Sequence, residues 1–318
     1  MKIIGFDTIS DLHIAPAQCI EWAKHMLLNK YECSLPPKIS LKMKGDIFVN
    51  TMPSCIPEIN RHGVKVVSRY PQRMPALVSE ILLYDSISGE TLAFMDGTWI
   101  TAMRTGAVAA LSAQTFQKSG ANQYAFMGLG NTARATLVCL AELFRNKDLY
   151  IKVLAYKNQE RDFIKRFEMY SNLHFSVCDN TKTLISGSDV VISCITSASG
   201  QIATDEEFKP GVTVIPVHTR GFQNCDLFFD KVFADDTDHV KDFKYFKSFK
   251  QFDEVSKVLL KKSVGRASEQ ERILEFPCMT FILLQRFMIW LQMNRCKLFY
   301  LQIIINSGCN GRRPATTL

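Results

Sequence analysis

One short segment constrains this chain more than any other: Phe126-Met127-Gly128-Leu129-Gly130-Asn131-Thr132-Ala133. It spells G-x-G-x-x-A between an apolar, strand-like run (124–127) and a helix-like run (133–144). Each position has a physical reason. Gly128 permits a tight turn. Gly130 lets the backbone approach a pyrophosphate. Ala133 lets the helix lie close to the sheet with its N-terminus facing the anion. A glycine fingerprint alone is a weak signal, but here the alternation continues. Strands are expected at 150–155, 174–177, 189–195, 212–217 and 231–234, with a helix at 158–170. Repeated βα units predict an α/β fold, a Rossmann-type doubly wound parallel sheet.

The pattern before Lys118-Ser119-Gly120 is different. A helix is expected over 17–30, after Pro16. Loosely alternating residues suggest strands in 38–52, and 64–67 reads as a short strand. Residues 77–84 and 91–95 flank a hairpin turn at Asp85-Ser86-Ile87-Ser88-Gly89. A long Ala-rich helix is expected over 99–117, with Thr98 as its N-cap. The chain therefore divides into an N-terminal α/β part, 1–117, a nucleotide-binding part, 118–276, and a tail, 277–318.

Charge removes one function class. The formal net charge is +7, but the tail holds five basic and no acidic residues. Residues 1–276 are left with 33 basic against 31 acidic side chains, too nearly balanced for a polyanion field, so no nucleic-acid partner is expected. The ten cysteines form no C-x-x-C pair and no metal-ligand spacing, so no metal is expected and reduced thiols in the cytoplasm are the simplest reading. The N-terminus lacks an apolar signal core, and the apolar run at 279–289 is interrupted by Gln285 and Arg286. No membrane partner is expected.

The end of the second strand of a nucleotide fold selects the cofactor. Here it reads Ala155-Tyr156-Lys157-Asn158, with no acid for a ribose 2′-hydroxyl. Lys157 either meets a 2′-phosphate or is a solvated lysine, so NAD and NADP both stay open.

Residues 36–276 resemble the ornithine cyclodeaminase/mu-crystallin family. The most specific segment runs from Met95-Asp96-Gly97 to Ala102-Met103-Arg104-Thr105-Gly106-Ala107, similar to the family signature M-D-G-x-x-L-T-A-x-R-T-A-A. Pro36-Pro37-Lys38, Met52-Pro53, Gly63-Val64-Lys65, the fingerprint, Ser188-Asp189-Val190-Val191, Lys209-Pro210-Gly211 and Gly265-Arg266-x-Ser268 follow in the family's order. The resemblance implies that residues 1–117, with part of the tail, bind substrate and form a homodimer, and that 118–276 hold NAD or NADP. It implies hydride transfer between the cofactor and the α-carbon of a small amino acid or cyclic imine. Lys65 and Arg104 match the family's carboxylate-binding cations, and Lys38 stands where a third is usually arginine. A fixed cationic clamp suits a carboxylate whose α C–H must face the nicotinamide. The fingerprint and the resemblance together imply a cofactor-binding set of Thr105, Gly128, Gly130, Asn131, Thr132, Ala133, Lys157 and Thr196.

Two departures stand out. Many members place an aspartate after the strand at 212–217 to handle the substrate amine, and Arg220 takes that position here. Arginine is not a base near neutral pH, which leaves His218 as the acid–base candidate or a histidine that only contacts cofactor or backbone. The tail also lacks the family's helix. Read one base earlier, codons for 279–291 permit D-I-Y-x-A-x-x-I-Y-D-L-A, so the tail is read as the product of a frame-changing deletion near Glu275–Cys278 or as a divergent but genuine tail, and the coding DNA decides between them. Two alternatives remain: an ornithine cyclodeaminase, and a protein that binds NAD(P) and a small ligand without turnover.

Overall fold

The computed structural model describes residues 1–196, 198, 200–218, 229–261 and 270–276, with residues 275 and 276 as backbone only. Arg220, the 265–268 motif and the tail from 277 onward lie outside the described residues.

The N-terminal part contains β1 (Lys2–Ile4), α1 (Phe6–Ser10), α2 (Pro16–Leu28), β2 (Ile39–Met43), β3 (Ile47–Ile56), β4 (Arg61–Arg69), β5 (Leu77–Asp85), β6 (Thr91–Asp96) and α3 (Thr98–Phe116). Its sheet has the order β1-β6-β5-β4-β3-β2. β2 to β6 form an antiparallel meander, and β1 adds in parallel to β6. Pro16 sits at the first turn of α2, where its missing N–H costs nothing. The helix buries Cys19, Ile20, Trp22, Ala23, Met26 and Leu27, the stripe its sequence spacing gives.

The start of α3 differs from expectation. Gly97 holds the N-cap position and Thr98 is the first helical residue. The cap is made by Asp96, whose Oδ1 accepts from the Thr98 N–H at 2.7 Å. An acid at this end also meets the positive pole of the helix. Asp96→Ala should cost about 1 kcal/mol, read as a lower urea midpoint with unchanged slope.

The second part contains β7 (Gln123–Met127), α4 (Asn131–Leu143), β8 (Leu149–Leu154), α5 (Gln159–Lys165), β9 (Leu173–Cys178), α6 (Thr181–Ile185), β10 (Val190–Ser193), β11 (Thr213–Pro216), β12 (Lys231–Ala234), β13 (Phe252–Glu254), α7 (Val255–Leu259) and β14 (Ile273–Phe276). Every pairing among its strands is parallel, in the order β13-β12-β14-β11-β10-β7-β8-β9. β14 inserts between β11 and β12. The helix expected over 158–170 is shorter, because the chain turns after Lys165.

Both faces of this sheet are covered, as a parallel sheet requires. Tyr124, Phe126, Ile192 and Ile215 face one core, while Ala125, Met127, Val191 and Val214 face another. The first core does not stop at the Rossmann sheet. It continues through α4, α3 and α2 to Ile81, Leu83 and Met95 of the N-terminal sheet. The two parts thus share one apolar interior, with Phe116 of α3 stacked on Phe233 of β12 at 4.4 Å between ring centroids.

Gly106 explains how close α3 comes to α4. A Cβ built there would stand 2.4 Å from the Ala135 carbonyl carbon and 2.5 Å from the Thr136 nitrogen. Only a glycine allows that approach.

Candidate active site

Strand register builds one wall. Paired residues on neighbouring strands point to the same face. Met52, Lys65 and Ile81 form one cross-strand row, which Lys38 extends by continuing the β2 register. Ser40, Asn50, Val67 and Ser79 form the next row, and Lys42, Phe48, Arg69 and Leu77 the one after. On this face lies a cavity of about 490 Å³ lined by Lys38, Ser40, Lys42, Asn50 and Lys65.

α3 supplies a second wall. Thr101, Arg104 and Thr105 line the cavity, and their i, i+3, i+4 spacing puts them on one side of the helix. Thr101 is held by a 2.7 Å hydrogen bond between its hydroxyl and that of Ser79. The Thr105 hydroxyl donates to the Thr101 carbonyl at 2.6 Å.

The third wall is the carboxyl edge of the parallel sheet. Thr132 comes from the first turn of α4, Thr196 from beyond β10, and Val217 and His218 from beyond β11. This is the crevice where the strand order reverses, the standard ligand site of an open α/β sheet.

The electrostatics are unusual. Lys65 is 1% exposed and Arg104 8%. Burial pushes the Lys65 ammonium well below its ordinary range, and the nearby Arg104 guanidinium pushes it further in the same direction. Asp46 is the one carboxylate among the described lining residues, and it is already paired with Arg69 at 2.6 Å.

The turn after β7 fits a dinucleotide. Gly128 has φ +79°, and a Cβ there would meet the Cys194 and Ile195 backbone at 2.7 Å. At Gly130, the N-cap of α4, a Cβ would meet nothing within 4 Å. The first glycine is required by the fold. The second leaves open room beside the free N–H groups of a helix start, where a pyrophosphate fits. Asn131 and Ala133 flank Thr132 on that first turn, and Ala133 is fully buried under the helix.

Of the residues singled out in the sequence, Lys38, Lys65, Arg104, Thr105, Thr132, Thr196 and His218 meet at the cavity. Lys157 does not line it. That lysine sits past β8 with φ 52°, its Nζ 5.1 Å from the Tyr156 ring centre. Sequence reading passed over Ser40, Lys42 and Asn50, although the alternation Lys38-Ile39-Ser40-Leu41-Lys42 carried the signal. It also passed over His239. Burial, with help from Lys38, Lys30 and Arg104, lowers that imidazole's pKa against the opposing pull of Asp236.

Behind the site, a buried ionic cluster joins the two parts. Lys30, 7% exposed, lies 3.1 Å from Asp236 and 2.9 Å from Glu254, and donates to the Asp235 carbonyl at 2.8 Å. Tyr31 donates to Glu254 at 2.6 Å. Burial works against the Glu254 charge, but bonds from Thr237, Tyr31 and Lys30 outweigh it and hold that carboxyl at about 2.

The family model for the ornithine cyclodeaminase/mu-crystallin family matches residues 11–274. The chain belongs to that family. Among curated relatives it is 24% identical over 261 residues to nodulation efficiency protein NfeD of Rhizobium meliloti, covering 76% of this chain and 78% of that one. It is 28% identical over 171 residues to mouse ketimine reductase mu-crystallin, covering 52% and 53%. The chain thus spans about half the length of that relative. In fold it is similar to Δ1-pyrroline-2-carboxylate reductase of Thermococcus litoralis, solved with NADH and L-proline. The TM-score is 0.79 at 20% identity, over 89% of this chain and 93% of the other. The family membership and the shared fold agree with the nucleotide turn and the two-part architecture. No helix among the described residues is long and apolar enough to cross a membrane, and no metal-binding cluster occurs among them.

Proposed function

We propose that this chain is an NAD(P)-dependent enzyme that transfers a hydride between the cofactor and the α-carbon of a small amino acid or its imine. The observation that carries this reading is one cavity in which Lys65 and Arg104 face Thr132, Thr196 and His218 at the carboxyl edge of the parallel sheet. The cofactor, when bound, supplies or accepts the hydride. The Arg104 fork and Lys65 hold the substrate carboxylate and fix the α-carbon's orientation. His218 lines the same cavity and is our candidate to give or take the proton of the α-nitrogen. Arg220, in the family's aspartate position, cannot take that role. The mouse relative's name, ketimine reductase, and the Thermococcus enzyme's ligands, NADH and L-proline, support the same chemistry. Ornithine cyclodeamination fits less well, because the second ammonium of ornithine would find only Asp46, already engaged by Arg69, among the described lining carboxylates.

Absorbance at 340 nm separates the readings. An imine, or a keto acid plus an amine, should oxidise NADH or NADPH with net change. Proline and ammonia from ornithine without net change would mean cyclodeamination. Cofactor binding with neither would mean a binding protein. The same assay run with NADH and with NADPH distinguishes the two cofactors, Lys157 past the second strand of the nucleotide fold being either a partner for a 2′-phosphate or a solvated lysine. The division at 117/118 and a cytoplasmic setting belong to the same reading, and the six free cysteines among the described residues suit a reducing compartment.

The reading includes a homodimer. The outer face of the N-terminal sheet carries an apolar patch, with Val64, Leu82, Phe94 and Ile3 in one cross-strand row, Ile39 and Val66 beside Thr51 and Glu80 in the next, and Leu41, Val49 and Val78 beside Ser68 in the one after. Ile3 is 80% exposed and Ile39 63%. A face of this kind calls for a partner surface. Sedimentation should give twice the chain mass, and Val66→Lys should return it to one chain. A monomer before substitution would refute the dimer.

A further inference from the structure

Resting on the hydride-transfer reading above, we propose that the site takes a dicarboxylic substrate: an α-amino or α-imino acid whose side chain ends in a second carboxylate, received by Lys42 with Ser40 and Asn50. The argument begins with charge. Arg104 and Lys65, with Lys38 in the place of the family's third cation, suffice for one α-carboxylate. The cavity nevertheless has a further lysine on its β2 wall, Lys42, which forms no ion pair with any described residue. The sole described lining carboxylate, Asp46, is committed to Arg69. A substrate with one negative charge leaves the exposed Lys42 ammonium facing only solvent. A substrate with a second ammonium would be repelled by it. A second carboxylate would pair with it.

Register gives the geometry. Lys38, Ser40 and Lys42 occupy successive same-face positions of β2, so Lys42 lies roughly 13 Å along the strand from Lys38. The row between them offers neutral hydrogen-bonding groups, the Ser40 hydroxyl and the Asn50 amide, which face each other across β2 and β3. A substrate anchored by its α-carboxylate at Lys65 and Arg104 would extend its side chain along these rows toward the flexible ammonium of Lys42. Lysine suits this place, since its mobile stem adjusts to the reach of the second acid.

The test uses the full chain, with and without NADH, titrated calorimetrically with glutarate and with butyrate. Glutarate should bind at least tenfold tighter. Lys42→Met should erase that advantage while leaving butyrate affinity unchanged. Lys42 is exposed on an edge strand, so the variant is expected to fold, and Lys42→Gln provides a second check. Equal binding of the two acids, or an advantage that survives both substitutions, overturns the subsite. Parallel assays at 340 nm with 2-oxoglutarate or 2-oxobutyrate plus ammonia address the underlying reading separately. No turnover with either, alongside a Lys42-dependent preference for glutarate, would refute hydride transfer and leave the subsite standing.

Discussion

Lys65→Met is expected to reduce kcat/KM by roughly 10²–10³-fold while making the protein more stable. The two effects share one cause. Lys65 occupies the middle of β4, between Met52 and Ile81 on the neighbouring strands, on the face turned inward. Its ammonium is desolvated and lies close to the Arg104 guanidinium, so its pKa in the folded protein falls well below 10.5. In the unfolded chain it returns to the ordinary value. The folded state therefore binds fewer protons than the unfolded state between the lowered pKa and 10.5, and stability rises with pH across that window. Below the lowered pKa the full cost of the buried charge is present. Methionine, of similar length and apolar, removes that cost and should add about 1–4 kcal/mol near neutral pH. Urea midpoints measured at neutral and alkaline pH check the claim. The parent should gain stability toward alkaline pH, and the variant should lose that part of the slope. A variant less stable than its parent with the slope intact would show that Lys65 serves packing rather than ligand binding. A bound carboxylate works in the opposite direction, restoring the ammonium by pairing with it, so substrate binding should take up protons.

How far the sequence revealed this arrangement depended on whether the signal was local. The fingerprint specified its own turn because Gly128 needs a positive φ and Ala133 a close helix, both decided within eight residues. α2 and β12 were legible for the same reason. β14 was not, because a strand inserted between β11 and β12 is defined by partners distant in sequence. β2 shows a different limit. Its alternation of polar Lys38, Ser40 and Lys42 with apolar Ile39, Leu41 and Met43 is the ordinary pattern of a strand whose polar side faces water. Here the polar side faces the cavity, and Ile39 and Leu41 are more than 60% exposed. Periodicity separates the two faces of a strand but does not say which one is inside. Arg104 and Lys65 were found through family resemblance rather than pattern, since a charged residue within an apolar run has no periodic signature of its function.

Gly106→Ala carries the second large effect, and it runs against two ordinary expectations. Alanine in a helix interior is usually worth about 1 kcal/mol over glycine. The family signature also carries alanine at the matching position, so the substitution looks conservative. In this chain the space is taken. The new Cβ would stand 2.4 to 2.7 Å from the carbon and oxygen of Ala135 and the nitrogen of Thr136, all backbone atoms of α4. No side-chain rotation relieves that contact, so α3 and α4 must separate. The separation opens the core that both helices share and moves Arg104 and Thr105 away from the α4 N-terminus. A net loss of about 2–3 kcal/mol is expected, with a weaker affinity for NADH or NADPH in the protein that still folds. Gly130→Ala is the informative partner. Nothing lies within 4 Å of its added Cβ, and φ there is −77°, so stability should change little. The methyl group would occupy the room that a pyrophosphate needs, so cofactor affinity should collapse. If Gly106→Ala raises the urea midpoint, or if Gly130→Ala binds cofactor as the parent does, then the packing of α3 on α4 does not set the site's geometry, and the turn after β7 is not where the phosphates lie.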